Sequence, residues 1–225
     1  MKRLLLAPIV VAVVLVAFTA TASATDEDSF WAQTTISRAR TDFTIEHRPG
    51  WTTTGTIQIT QTLRSSKFVG VEVSEEVTLD ATLLHCPGEK ECRKVWIVRA
   101  AQRVESLTPS PVTIRGTDSA SLVAELPATV SVLDFEDSDR DGDFSEQVGT
   151  FETAVQIKAN WHGEKAASSV NCGKDGEDKY LLKNELAEAL ASGSISDYSF
   201  TTASAEMSRS VSSKEHHKDP WGCAA

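Results

Sequence analysis

The sequence lacks several features that would have identified its function directly. It contains no H-E-x-x-H or G-x-S-x-G motif, so the common signatures of zinc and serine hydrolases are absent. It also has no run of Lys and Arg, and 32 acidic against 22 basic residues give a net charge of -10. Because acidic surfaces repel phosphate backbones and anionic lipids, nucleic acid is not an expected partner.

Long apolar segments are absent everywhere except at the start of the chain. Two basic residues precede an uncharged apolar run over 4–18, and residues 22–24 have the small-x-small pattern of a cleavage site. We therefore predict a signal peptide over 1–24 and one secreted, extracellular domain over 25–225, without stable membrane insertion. An uncleaved anchor is the alternative, because the run is close to the shortest membrane span. The absence of Asn-x-Ser/Thr sequons fits a bacterial exported protein.

Cysteine is scarce, but the count is even: Cys86, Cys92, Cys172 and Cys223. An even number in an exported chain predicts disulfide bonds, and four cysteines allow three connectivities. The Pro-Gly turn that follows Cys86 favours its pairing with Cys92, which would leave Cys172 for Cys223.

Alternation of apolar and polar residues is the dominant pattern from residue 41 to about 161. Apolar side chains recur at every second position in the segments 43–47, 57–63, 69–73, 112–114, 122–126, 130–132 and 155–161, and residues 95–98 form a short apolar run. Turn residues fall between these segments. We predict an all-β fold, an antiparallel β-sandwich of about eight to ten strands.

Two C-terminal segments depart from this pattern. Leu182, Leu186 and Leu190 are four residues apart, which predicts one short helix near residues 179–191. Alanines at alternate positions in the same segment leave a strand as the alternative. Residues 201–225 are mostly polar, so we predict a polar tail there, loose or at a sheet edge.

The most distinctive motif is D-S-D-R-D-G-D over residues 137–143. Carboxylates at alternate positions, with Gly before the fourth, resemble the first half of an EF-hand calcium loop. The resemblance implies a structural calcium ion bound by the side chains of Asp137, Asp139 and Asp141 and by the backbone carbonyl of Asp143.

The resemblance covers about ten residues and departs from the family at two points. Val148 stands where an EF-hand has its bidentate Glu, so Glu146 is the predicted closing ligand, with Glu152 as the alternative. The flanking segments alternate like strands, so the motif is not a true EF-hand. A hairpin turn at Asp141-Gly142 is the alternative to a metal site, although four neighbouring carboxylates repel one another without a cation.

The functional expectation is a non-enzymatic extracellular binding or structural module stabilised by calcium and disulfides. Its expected partner is an extracellular protein or a glycan, with Trp31 and Trp51 as candidate ligand-binding side chains; Trp96 and Trp161 are predicted to be core. The alternative is a secreted hydrolase that uses paired carboxylates from Glu146, Glu152 and Glu164.

Overall fold

A computed structural model of the protein describes residues 30–68, 70–88, 91–105, 110–175 and 178–216. The strands in these ranges are β1 (Phe30–Arg48), β2 (Trp51–Ser66), β3 (Gly70–His85), β4 (Arg93–Glu105), β5 (Val112–Arg115), β6 (Ser119–Leu133), β7 (Gln147–Asp175), β8 (Asp178–Ile195) and β9 (Tyr198–His216). The all-β prediction is confirmed. The predicted signal peptide lies outside the described residues.

All nine strands belong to one antiparallel sheet in the order β4-β3-β2-β1-β9-β8-β7-β6-β5. Strand β4 also pairs with β6, from Trp96 opposite Val132 to Ala100 opposite Ala128. This pairing closes eight strands into a ring, and the short β5 pairs with the part of β6 that β4 does not reach. In a β-sandwich the core lies between two facing sheets. Here it lies inside one closed sheet.

The core consists of the inward-facing side chains of the closed sheet. In β7, Val155, Ile157, Ala159 and Trp161 are buried, whereas the residues between them are exposed. The largest fully buried apolar side chains are Trp161, Ile57, Ile59, Leu79, Leu122, Leu126, Ile157 and Met207. Burial of each such side chain stabilises the fold by roughly 1.5–3 kcal/mol, which is what holds the sheet closed.

Three glycines allow the backbones of neighbouring segments to approach each other closely. A Cβ on Gly55 would overlap the carbonyl oxygen of Asp80. A Cβ on Gly193 would overlap the carbonyl oxygen of Lys158, and a Cβ on Gly163 would overlap that of Thr117. Any larger residue at these positions would therefore push the backbones of adjacent segments apart.

The helix predicted near residues 179–191 is wrong: this segment belongs to β8. It pairs with β7 on one side and β9 on the other. Leucines four residues apart share one face of a strand as well as one face of a helix. Leu186 and Leu190 lie on the outer face, at 52% and 47% exposure, while Ala187 and Ala189 are buried in the core.

The predicted polar tail also requires correction, because residues 201–216 form most of β9. This strand lies between β1 and β8 in the middle of the sheet. Phe200, Ala205 and Met207 provide its inward face, and Glu206 faces solvent. Residues 217–225 lie outside the described part of the chain.

The two ends of the sheet differ in character. The end that we call the loop end carries the turns at 49–50 and 196–197, the disulfide-bonded segment 86–92 and the long loop 134–146. At the other end, segments 163–175 of β7, 178–186 of β8 and 208–216 of β9 continue past the core; we call them the extension. None of the side chains described in the extension is buried. In the described ranges, no helix is long and apolar enough to cross a membrane.

Candidate functional site

Three of the predicted metal ligands come together in the loop 134–146. Carboxylate oxygens of Asp137, Asp139 and Asp141 all lie within 4.8 Å of one another. A hard cation such as Ca²⁺ binds oxygen at about 2.3–2.6 Å, so oxygens on opposite sides of one ion are roughly 5 Å apart. The cluster is therefore a candidate metal site, formed by half-buried Asp137 and exposed Asp139 and Asp141.

The backbone of this loop is wound tightly rather than folded as a simple hairpin turn. Gly142 has a φ of 85°, and Asp137 and Arg140 also have positive φ values, 59° and 65°. A two-residue type I′ turn at 141–142 would require a positive φ at both positions. Asp141 has none. The hairpin alternative therefore does not describe the loop.

Hydrogen bonds inside the loop orient the clustered carboxylates. Oδ1 of Asp137 accepts a hydrogen bond from the amide of Gly142 (3.0 Å), and Oδ1 of Asp141 accepts one from the amide of Asp143 (2.7 Å). The corresponding bond of Asp139, from the amide of Asp141, is 3.3 Å long. An ionised carboxylate has two oxygens with about four acceptor sites, so each side chain keeps capacity for a cation.

The other two predicted ligands are not part of this three-residue cluster. Oδ1 of Asp143 accepts hydrogen bonds from the hydroxyl (2.6 Å) and the amide (2.8 Å) of Ser145. These bonds, led by the hydroxyl, hold the pKa of the exposed Asp143 carboxyl below its ordinary value. Glu146 is exposed, and its backbone carbonyl accepts a hydrogen bond from the amide of Asp134 (2.9 Å). Metal binding by Asp143 and Glu146 stays a prediction.

Asp134, which sequence reasoning missed, anchors the start of the loop. It is 7% exposed. Its carboxylate accepts hydrogen bonds from the amide and the hydroxyl of Ser138, both 2.8 Å long. The sequence places Asp134 directly after the apolar end of β6. An acidic residue buried at such a position needs hydrogen-bond donors nearby, so this position could have indicated its structural role.

Aromatic contacts join the loop to the neighbouring strands. The ring of Phe135 lies edge-on to Trp51 (6.0 Å between centroids) and to His85 (5.8 Å), and Trp51 stacks on His85 at 4.4 Å. Arg93 donates a hydrogen bond to the Phe135 carbonyl (3.1 Å), with its guanidinium 3.7 Å from the Phe144 ring. The loop 134–146 and the Trp51 side chain are thus in direct contact through Phe135.

A cavity of about 370 Å³ opens at the loop end, directly above the core. Its lining consists of inward-facing strand residues and adjoining turn residues: Ile45, His47, Arg48, Trp51, Thr53, Leu79, Ala81, Leu83, Trp96, Val98, Val155, Ile195, Ser196 and Tyr198. Most of these side chains are apolar or aromatic. The volume lies within the range of about 300–1,000 Å³ that is typical of small-molecule sites.

The polar side chains of the cavity wall interact mainly with each other. Nε2 of His47 and Oγ1 of Thr53 are hydrogen-bonded at 2.7 Å. Tyr198 packs edge-on against His47, with 4.4 Å between ring centroids. His47 is half-buried. Because His47 and Thr53 satisfy each other, an apolar molecule could enter without leaving them unpaired.

Two tryptophans line this cavity, and the sequence predicted a ligand-binding role for only one of them. Trp161 is fully buried, which confirms its predicted place in the core, but the same prediction is wrong for Trp96, which is 43% exposed. Trp96 stands at the cavity wall with Phe151 edge-on to it at 6.4 Å. Trp51 is half-buried and also lines the cavity. The side chain of Trp31 lies outside the described residues.

The cysteines stabilise the edges of the described structure. Cys86 and Cys92 are disulfide-bonded, as predicted, and the bond closes the β3–β4 connection at the loop end. Cys172, in the extension, is also disulfide-bonded. Its predicted partner, Cys223, lies outside the described residues.

The carboxylates of the hydrolase alternative are far apart. Glu152 and Glu164 both lie on β7, and twelve residues of extended strand span roughly 40 Å. Paired carboxylates of glycoside hydrolases are about 5–9.5 Å apart. Glu152 instead accepts hydrogen bonds from the Thr129 hydroxyl at 2.9 and 3.0 Å, on the exposed surface. These two residues therefore do not form such a pair.

Comparison with protein-family models, curated proteins and solved structures finds no match to this chain. The class of protein is therefore defined by its own features. It is an all-β protein with a closed antiparallel sheet, a three-carboxylate cluster in one loop and an apolar cavity beside that loop.

Proposed function

We propose that this protein is a non-enzymatic binding protein that holds a small apolar molecule in the cavity at the loop end. The observation that carries the proposal is the composition of the cavity wall: apolar and aromatic side chains from seven strands surround a preformed space, and its His47–Thr53 pair is internally hydrogen-bonded. Transfer of an apolar surface into such a space is favourable by roughly 25 cal/mol per Å².

The cavity favours a small molecule over the protein or glycan partner expected from the sequence. Sugar hydroxyls that lose water need hydrogen-bond partners, and a wall dominated by side chains such as Leu79, Val98 and Val155 provides few. A folded protein partner would need a broad surface rather than a recess. Trp51 keeps its predicted role as a ligand-binding residue, now as part of the cavity wall, and Trp96 joins it.

The proposed site of action is outside the cell. The Cys86–Cys92 disulfide supports this proposal, because disulfides persist mainly in oxidising compartments. The predicted signal peptide over residues 1–24 supports it further.

Calcium is the proposed ion for the carboxylate cluster, with a structural role. Asp137, Asp139 and Asp141 would hold it, and Asp143 and Glu146 are the proposed source of further oxygens. Bound there, the ion would neutralise the repulsion among the carboxylates. It would thereby stabilise the loop whose Phe135 contacts Trp51 in the cavity wall.

The cavity is tested by titrating the purified protein, without its predicted signal peptide, with the neutral dye N-phenylnaphthylamine. Val98→Phe places a larger side chain in the cavity, whereas Ile97→Phe, one residue away on the outer face of β4, does not. We expect dye fluorescence to saturate with the native protein and Ile97→Phe, and affinity to fall at least about tenfold in Val98→Phe. Equal binding by all three proteins would contradict the proposal.

The ion is tested by thermal unfolding with and without calcium after treatment with a chelator. Calcium at about ten times its dissociation constant should add roughly 1.4 kcal/mol to the free energy of unfolding. The gain should disappear in the double variant Asp139→Ala with Asp141→Ala. It should persist in Asp197→Ala, which changes an exposed aspartate in a different turn of the loop end. No response at millimolar calcium would refute the calcium proposal.

A further inference from the structure

Charge at the cavity mouth is of one sign. Among the side chains that line the cavity, Arg48 carries the only permanent charge, and none is Asp, Glu or Lys. The protein as a whole has a net charge of -10. A single cation in the cavity wall therefore contrasts with the negative charge of the protein as a whole.

The geometry of Arg48 leaves its hydrogen-bond donors available. Its Cζ lies over the Trp51 ring, 4.7 Å from the ring centroid. The five N–H groups of a guanidinium point outward in its own plane and can donate hydrogen bonds to a ligand. Within the described part of the chain, no carboxylate forms an ion pair with Arg48.

The interior of the cavity cannot accept a charge. Its deeper wall includes Leu79, Ala81, Val98 and Val155, which have no polar side-chain atoms. A buried ion without a partner is very costly, so any charged group of a ligand must stay at the mouth. The apolar part of the ligand would point inward, and the charged part would remain beside Arg48.

We infer that the ligand is an amphiphile with an apolar body and one anionic head group, which Arg48 binds at the mouth of the cavity. This inference rests on the proposed function and names the class of ligand. A carboxylate head group suits the site, because its two oxygens match two parallel N–H groups of a guanidinium.

Acidic groups lie at the same end of the protein and would favour the opposite ligand charge. The nearest along the chain are Glu46, Asp80 and Asp197, each directly next to a lining residue, and the aspartates of the loop 134–146 are further away in sequence. None of them lines the cavity, whereas Arg48 does. Because screening weakens interactions beyond about 8–10 Å at moderate salt, the group in the wall should decide the preference.

The test is displacement of N-phenylnaphthylamine by three molecules with the same apolar chain: octanoate, octanol and octylammonium. We expect octanoate to bind about tenfold more tightly than octanol, and octylammonium to bind most weakly. Arg48→Gln should abolish the preference for octanoate over octanol, and Arg48→Lys should retain part of it. Arg99→Gln, which removes an exposed cation on the outer face of β4, is the matched control and should behave like the native protein.

The outcomes separate this inference from the proposed function. If octanol displaces the dye but octanoate binds no better, the cavity binds apolar molecules and the inference about the head group is wrong. A preference for octanoate that survives Arg48→Gln, or a preference for octylammonium, would also overturn it. If none of the three molecules displaces the dye and Val98→Phe does not weaken dye binding, the proposed function itself fails.

Discussion

The closed part of the sheet, which carries the loop end, and the extension are built from the same long strands. Only the closed part encloses a core. In the closed part, β7 places Ile157 and Trp161 against the opposite wall of the ring, and both are fully buried. In the extension, the same strand continues with residues such as Val170, which is 58% exposed. Backbone pairing is therefore sufficient to continue a strand, but a buried core requires the closure of the sheet.

The two regions should differ most in the free energy of unfolding that is lost when an apolar side chain is truncated. Leu126→Ala removes a fully buried leucine from the ring, whereas Leu182→Ala changes a leucine in the extension that is 37% exposed. We expect the first variant to lose about 2–5 kcal/mol in free energy of unfolding and the second less than about 0.5 kcal/mol, measured by urea denaturation. Similar losses in both variants would show that the extension has a core of its own.

Glycine substitutions should also destabilise the closed part more than the extension, but with a smaller difference in the free energy of unfolding. In Gly193→Ala the new Cβ would overlap the Lys158 carbonyl, so strands β7 and β8 must move apart at a cost of about 1–3 kcal/mol. In Gly173→Ala, in the extension, the nearest atom to the new Cβ is 3.9 Å away. Thermal unfolding should show this control to be as stable as the native protein, and a destabilised control would contradict the packing described for the extension.

The smallest expected effects concern exposed charges, which behave alike in both regions. At the loop end, the Ser145 hydroxyl lowers the pKa of Asp143, so this contribution to stability is lost as the pH falls through the lowered value. In the extension, the hydrogen bond with Asp178 raises the pKa of Lys214, so that contribution is lost as the pH rises through the raised value.

Each of these pKa values should return toward its ordinary value when the partner is removed. NMR titration of the side chains should show the pKa of Asp143 rising in Ser145→Ala and that of Lys214 falling in Asp178→Asn. Ser138→Ala, which affects a different aspartate of the loop, should leave Asp143 unchanged. An unchanged Asp143 pKa in Ser145→Ala would contradict the hydrogen-bond assignment.

The sequence was most informative where one strand face is buried. Alternation in β7 predicted the inward side chains from Val155 to Trp161, because a period of two is retained whenever one face packs against a core. It failed in β8 because leucines four residues apart satisfy both a strand and a helix. It failed again in β9, whose polar composition hid a central strand that contributes Ala205 and Met207 to the core.

The candidate site could be predicted only in part. The spacing of Asp137, Asp139 and Asp141 indicated the carboxylate cluster, since a local motif brings its own residues together. The cavity combines Trp51, Trp96 and residues of five other strands, and their meeting depends on the β4–β6 pairing that closes the sheet. No local pattern carries that information, so Trp96 was assigned to the core.

The central claim, that the closed part of the sheet holds an apolar ligand at the loop end, is tested most directly by NMR of the ¹⁵N-labelled protein during titration with octanol. The account predicts saturable shifts of the indole N–H signals of Trp51 and Trp96, which line the cavity. The signal of fully buried Trp161 and the amides of the extension should stay in place. Shifts confined to the extension, or no saturable shift of Trp51 and Trp96, would contradict the account.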